Sequence, residues 1–319
     1  MKKRFPLIAA VLLVLAAAAW IAINRNEGPK PTVVGICQFD QHESLDAATK
    51  GFKDALTEKM GDNVTFREQN AQGDHSTCTA IINALVAEDV DLILANSTTA
   101  LQTAATATTK IPILGTSITG YDTALQLDSA DSRENNISGT SDLAPLSEQA
   151  AMIQELFPNA ENIGLLYCSS ELNSQYQADR IQTELGALGY TCRFYTFSDS
   201  NDIASVTLTA AANSDVIYIP TDNMAAANAE LIGNVCIPAK VPVITAEENT
   251  CRICGVATLS IDYYELGYTT GEMAAYILLD GADISEMPIE YPKHFTKKYN
   301  AEICQTLGIT VPQDYVKLD

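Results

Sequence analysis

A chain of 319 residues with 47% hydrophobic and 18% charged side chains has the profile of an ordered globular protein and room for about two domains of ~100–200 residues. Against 19 Lys and Arg stand 40 Asp and Glu, a net charge of −21. That balance excludes nucleic acid as a partner and disfavours an anionic membrane surface for the folded part, since both demand a basic stripe.

Residues 1–27 read as a targeting segment. Met1-Lys2-Lys3-Arg4 precedes an uncharged run from Leu7 to Ile23, longer than many signal-peptide cores and short for a membrane span. Ala17 and Ala19 offer a small-x-small cleavage site, so cleavage and retention both stay open. The first cysteine is Cys37, too far along for a lipid-anchored N-terminus. Either outcome places the rest of the chain outside the cytoplasm, secreted or tethered by residues 7–23. Lys2, Lys3, Arg4 and Arg25 outnumber Glu27 in this segment, so the acidic excess belongs to the folded part.

From Thr32 onward, short β-branched runs alternate with helical patterns. Val33-Val34-Gly35-Ile36-Cys37 is continuously apolar, as in a strand buried on both faces. Leu45, Ala48, Phe52, Ala55 and Leu56 follow at helical spacing. Val64–Phe66 predicts a second strand, Cys78, Ile81, Ile82 and Leu85 a helix face, Asp91–Ala95 a third strand and Ile111–Gly115 a fourth. This order predicts an α/β fold with a mainly parallel sheet and helices on both sides. The second half repeats the plan at a nearly constant offset: Asn162–Tyr167 matches Val33–Cys37, Asp215–Ile219 matches Asp91–Ala95, and Lys240–Ile244 matches Lys110–Leu114. Two similar doubly wound lobes follow.

Parallel sheets bind ligands beyond the carboxyl ends of their strands, where helix N-termini converge. That rule selects Gln38–Ser44, Asn96-Ser97-Thr98-Thr99 and Thr116-Ser117 in the first half. In the second half it selects Ser169-Ser170-Glu171-Leu172-Asn173-Ser174, Thr221-Asp222-Asn223 and Glu247-Glu248-Asn249. Any one of these is equally an N-cap or turn. Six together predict a shared cleft. Its Ser- and Thr-rich helix starts suit a carboxylate, and Asp222 or Glu247 an ammonium.

Enzyme patterns are missing from the sequence. There is no glycine-rich phosphate or dinucleotide loop, and Gly115-Thr116-Ser117-Ile118-Thr119 lacks the last glycine of a nucleophile elbow. His42, His75 and His294 have no zinc-binding spacing: His42 lies in a candidate cleft loop, His75 at a helix start and His294 on the surface. No metal or cofactor is expected, and no catalytic residue. The eight cysteines permit disulfides in an exported chain, but Cys37, Cys78 and Cys304 fall among apolar neighbours, as buried free thiols do. For Cys251-Arg252-Ile253-Cys254, a local disulfide and a non-bonded structural role both stay open.

The chain resembles the substrate-binding proteins of ABC transporters, in the branch associated with tryptophan and tyrosine uptake. The resemblance rests on Gly51–Leu56, Gln69–Asp74, Val90–Ile93, Gly139–Asp142, Leu166–Glu171, Pro220–Asn223 and Ile261–Gly267, in this order. It implies a type I periplasmic-binding-protein-like fold, two lobes closing on a small molecule, most readily an aromatic amino acid, and ABC permease subunits as membrane partners. It further implies one lobe of residues 31–141 and 255–286 and another of 142–254 and 287–319. By the family pattern, contacts fall on Asn96, Ser97, Thr98, Thr116, Ser117, Ser169, Ser170, Glu171, Asn173, Ser174, Thr221, Asp222, Asn223 and Glu247. Ser97, Thr98 and Ser170 are expected on a carboxylate and Asp222 on an ammonium. Gln38, Phe39, His42 and Arg252 are additional candidates, with Phe39 or Tyr121 as stacking platform. Arg252 lies where the family usually has small residues and glycine. A ligand-sensing domain for a membrane signalling partner is the alternative use of the same cleft.

Overall fold

The computed structural model describes residues 31–127 and 136–318; residues 1–27, expected to be a targeting segment, lie outside them. The first sheet contains β1 (Thr32–Gln38), β2 (Val64–Asn70), β3 (Leu92–Asn96), β4 (Ile113–Ile118) and β5 (Ile137–Ser141), all parallel, in the order β2-β1-β3-β4-β5. Alternation sorts its side chains into two cores. Ile93 and Ala95 face the helices His75–Ala87 and Thr98–Ala107, whereas Leu92 and Leu94 face Phe52 and Leu56 of the helix Glu43–Met60.

The second sheet contains β6 (Asn162–Cys168), β7 (Thr191–Phe197), β8 (Val216–Ile219), β9 (Val243–Thr245), β10 (Ala257–Ser260), β11 (Thr296–Tyr299) and β12 (Val316–Lys317), in the order β12-β11-β10-β9-β8-β6-β7. Strands β7-β6-β8-β9-β10 repeat the order of the first sheet, the structural counterpart of the sequence repeat. Strand β11 pairs antiparallel to β10, so the second sheet is mixed rather than purely parallel.

Two lobe boundaries differ from those implied by the resemblance. Val256, Ala257 and Leu259 are buried in the second-lobe core and β10 pairs with β9 and β11, so the chain returns to the first lobe after Ser260 rather than near Gly255. The third crossing follows Glu290 rather than Met287. Ile284, Met287 and Ile289 pack on the first-lobe cores, Ser138 Oγ donates to the Met287 carbonyl at 2.9 Å, and Ser141 N donates to the Glu290 carbonyl at 2.8 Å.

The helix Tyr263–Asp280 ties the return segment to the first lobe by close packing on the helix Glu43–Met60. A Cβ on Gly267 would lie 1.9 Å from the Ala48 carbonyl oxygen, and one on Gly51 would lie 2.1 Å from that of Tyr264. Only glycine permits this backbone approach. The packing holds Tyr263, the first residue of its helix, at the junction of the lobes.

Candidate functional site

The carboxyl ends of both sheets face one another across a seam bridged by side chains of opposite lobes. Ser44 Oγ donates to Glu247, His42 Nε2 lies 3.2 Å from Asn223 Oδ1, and Gln177 Nε2 donates to Thr119 Oγ1 at 3.2 Å. At the rim, Arg252 bridges Glu43 at 2.6 Å and Glu248 at 3.2 Å. The lobes are closed on each other.

On the first-lobe side, the helix Thr98–Ala107 starts at the end of β3, and the Ser97 side chain caps it by accepting from Ala100 N at 3.3 Å. The amides of the first turn have no intrahelical acceptor. Ser97 and Ser117 both have positive φ, 120° and 57°. Non-glycine residues held in such conformations concentrate at binding sites, and here both end neighbouring strands of the cleft. Thr98 Oγ1 and Ser117 Oγ are buried without a partner. Asn96 Nδ2 donates to the Leu45 carbonyl and Thr49 Oγ1, its Oδ1 being orphaned.

On the second-lobe side, Glu171 accepts from Asn173 Nδ2, Asn223 Nδ2 and the amides of Asn223 and Met224, joining the β6 and β8 loops. Ser174 Oγ donates to the Thr221 carbonyl at 3.1 Å. Glu247 caps its helix through Asn249 N and Thr250 N. Both lobes thus bring Ser97, Thr98, Ser117, His42, Glu171, Asn173, Ser174, Thr221, Asn223 and Glu247 to one seam.

Several candidates sit elsewhere or are committed to other work. Ser169 and Ser170 are exposed, their hydroxyls on the Phe197 carbonyl and Cys168 Sγ, so the carboxylate role expected of Ser170 has no support from its position. Thr116 Oγ1 points into the first lobe toward Thr140 at 3.2 Å. Asp222, expected on an ammonium, has each oxygen on a backbone amide: Cys168 N at 2.6 Å and Ala225 N at 2.8 Å. Burial, with the charge of Glu171, pushes its carboxyl up to about 8. Gln38 organises the first loop, donating to Asp40 and Asp46. Phe39 is core, edge-on to His75 at 5.3 Å, and Tyr121 donates from its core position to the Gly115 carbonyl, so neither is a free stacking platform. Arg252 is held at the rim by acids. His294 is exposed.

The sequence pattern missed a second set of residues. Asp142, just past β5, accepts from Thr119 Oγ1 at 3.0 Å and Tyr263 OH at 3.1 Å. It is buried, and desolvation raises its carboxyl to about 6. Gln177 Oε1 accepts from Thr221 N and Oγ1 at 3.3 Å, while its Nε2 reaches Thr119. Gln177 lies one helical turn after Asn173, a spacing that signals a shared face.

Cys251 and Cys254 are buried free thiols, so no local disulfide closes that loop. Among the described residues no cluster of His, Cys, Asp or Glu has the arrangement of a metal site, and no helix is long and apolar enough to cross a membrane.

Residues 33–318 match the family model of the ABC transporter substrate binding protein. The chain belongs to this family. A relative from Clostridioides difficile, a tyrosine-binding protein, is 34% identical over 83% of this chain and 78% of its own length. A Streptococcus domain crystallised in complex with L-Trp superposes with a TM-score of 0.84 at 31% identity, covering 89% of this chain and 96% of that one. A substrate-binding protein with adhesive properties from Clostridium difficile, in its ligand-free, open form, superposes at 0.69 with the same 31% identity, over 90% of this chain and 99% of that one. The higher score against the liganded domain agrees with the inter-lobe bonds of this substrate-binding protein. A glucose-galactose binding protein at 15% identity and a solute-binding protein with bound allitol at 12% share the two-lobed type I fold alone.

Proposed function

We propose that the chain is the extracytoplasmic receptor of an ABC importer and holds a free amino acid, preferentially an aromatic one, between its lobes. The observation that carries this is the set of orphaned polar atoms in a closed seam with no buried Lys or Arg among the described residues. A ligand bringing both charges suits it. Thr98 Oγ1, Ser117 Oγ and the first-turn amides of the helix Thr98–Ala107 suit the carboxylate, helped by the helix dipole. The tyrosine-binding relative and the tryptophan-bound domain support an aromatic side chain. Tyr263, whose OH donates to Asp142 at the crossing, brings an aromatic ring to the junction of the lobes. Residues 7–23 serve as a cleaved signal or as a tether.

A thermal-shift panel of the amino acids tests this. At a ligand concentration of about a hundred times Kd, stabilisation of about 2.7 kcal/mol is expected, a shift of several degrees. L-tyrosine or L-tryptophan is expected to give the largest shift. A panel in which no amino acid moves the melting temperature refutes the ligand assignment.

A further inference from the structure

The hydrogen-bond pattern around Glu171 decides which atoms of the seam are left for a ligand. Glu171 as a carboxylate only accepts, so Asn223 must turn its Nδ2 toward it, at 2.6 Å. Asn223 Oδ1 therefore faces the other lobe, 3.2 Å from His42 Nε2. An oxygen acceptor there fixes the tautomer: Nε2 carries the hydrogen, and Nδ1 of the neutral ring is an acceptor. Nδ1 is buried and orphaned. Asn173 is oriented in the same way. Its Nδ2 lies within reach of Glu171 Oε2 at 3.2 Å, Ser174 Oγ at 3.2 Å and the Thr221 carbonyl at 2.9 Å, which leaves Oδ1, also buried and orphaned.

Two orphaned acceptors, one from each lobe, thus hang on the same Oε2 atom of Glu171. What both lack is a donor. The field around them is negative, since both amides sit on the Glu171 carboxylate and Asp40 lies near enough to feel that charge. We propose that His42 Nδ1 and Asn173 Oδ1 together receive the α-ammonium of the ligand, which makes an unsubstituted primary amine the recognised class. Asp222 is left as a structural cap. This placement rests on the amino-acid receptor proposed above.

The experiment is calorimetric titration of the full chain with the proteinogenic L-amino acids and with the deamino acid matching each one that binds. For L-tyrosine that is 3-(4-hydroxyphenyl)propanoate, and for L-tryptophan 3-(indol-3-yl)propanoate. A hydrogen bond from a charged donor is worth about one to two decades in affinity, so the wild type is expected to prefer the amino acid by about 10- to 100-fold or more. His42→Gln keeps a donor for Asn223 but removes the Nδ1 acceptor, and Asn173→Ala removes the other. Each is expected to cut the preference about tenfold, by weakening the amino acid and sparing the deamino acid. A merely structural loss weakens both ligands alike and leaves the ratio unmoved. An unchanged ratio in both variants, or a ratio that collapses only in Asp222→Asn, overturns the placement while the receptor stands. Failure of every amino acid to bind the wild type refutes the amino-acid assignment proposed above, and the placement with it. Circular dichroism identifies any variant that fails to fold, and His42→Gln, in a half-buried loop, then decides.

Discussion

The buried carboxyl of Asp142 sets up a pH test of how the crossing is held. Its environment raises it from the ordinary 3.8 to about 6, chiefly by desolvation, with Thr119 and Tyr263 pulling the other way and the charge of Glu247 pushing further up. A carboxyl whose folded value is raised binds its proton more tightly in the folded state, so stability falls as pH rises from about 4 to about 6 and stays reduced above. Near 1.4 kcal/mol per unit over about two units, ionising Asp142 costs roughly 3 kcal/mol at neutral pH. Asp142→Asn keeps an acceptor for Tyr263, and Thr119 can turn to accept from the new amide. It is therefore expected to gain about 2–3 kcal/mol over the wild type at pH 7.5 and nothing at pH 3.5. For a chain of this size that is about 5 °C in Tm. The assay is thermal unfolding of both proteins across pH 3.5–8 without ligand. Parallel curves, with the same difference at every pH, refute the assignment of the titration to Asp142.

Three further outcomes follow from the packing and the rim. Gly267→Val forces a branched side chain into the Ala48 carbonyl and is expected to lower stability by about 3 kcal/mol or more in a chemical-denaturation curve, with Tyr263 displaced and ligand binding lost. Ser117→Gly relieves a positive φ, so it is expected to leave Tm unchanged or up by about 1 kcal/mol equivalent, yet to weaken ligand binding about tenfold in calorimetry by removing an orphaned hydroxyl. Arg252→Ala removes an exposed bridge to Glu43 worth about 0–1 kcal/mol, so ligand dissociation measured by stopped flow is expected to quicken by less than about fivefold, with the difference vanishing in high salt.

The strands were legible because both faces of each sheet are covered, which turns Val33–Cys37 and Asp91–Ala95 into unbroken apolar runs. The repeat was legible for the same reason, since the two halves bury the same positions. The return crossing was not. Val256, Ala257 and Leu259 are as apolar as any strand of either lobe, and only pairing in space, with β9 and with β11, assigns β10 to the second sheet. The site was half legible for a chemical reason: Ser, Thr, Asp and Asn at helix starts are the side chains that cap helices and also those that bind zwitterions. Ser97, Asp222 and Glu247 all cap helices. Strand-end position therefore locates the cleft without telling a cap from a contact. Orphaned atoms mark the candidates whose polar groups are not already committed, and they appear only once partners are known in space, as for His42, whose Nε2 meets Asn223 while Nδ1 meets nothing.

The orphaned atoms also explain why closure should wait for a ligand. A buried polar group without a partner costs about 1–3 kcal/mol, and His42 Nδ1, Thr98 Oγ1 and Ser117 Oγ come from the first lobe while Asn173 Oδ1 comes from the second. In the open form such atoms meet water, so the penalty belongs to the empty closed form. The bonds Ser44 to Glu247, His42 to Asn223 and Gln177 to Thr119 oppose it, at about 0.5–1.5 kcal/mol each. On these figures the penalty, about 4–12 kcal/mol, exceeds the roughly 1.5–4.5 kcal/mol of the bonds, which tilts the empty receptor toward its open form. A ligand that satisfies the orphans only when the lobes meet binds the closed form selectively, and that differential affinity is what moves the population.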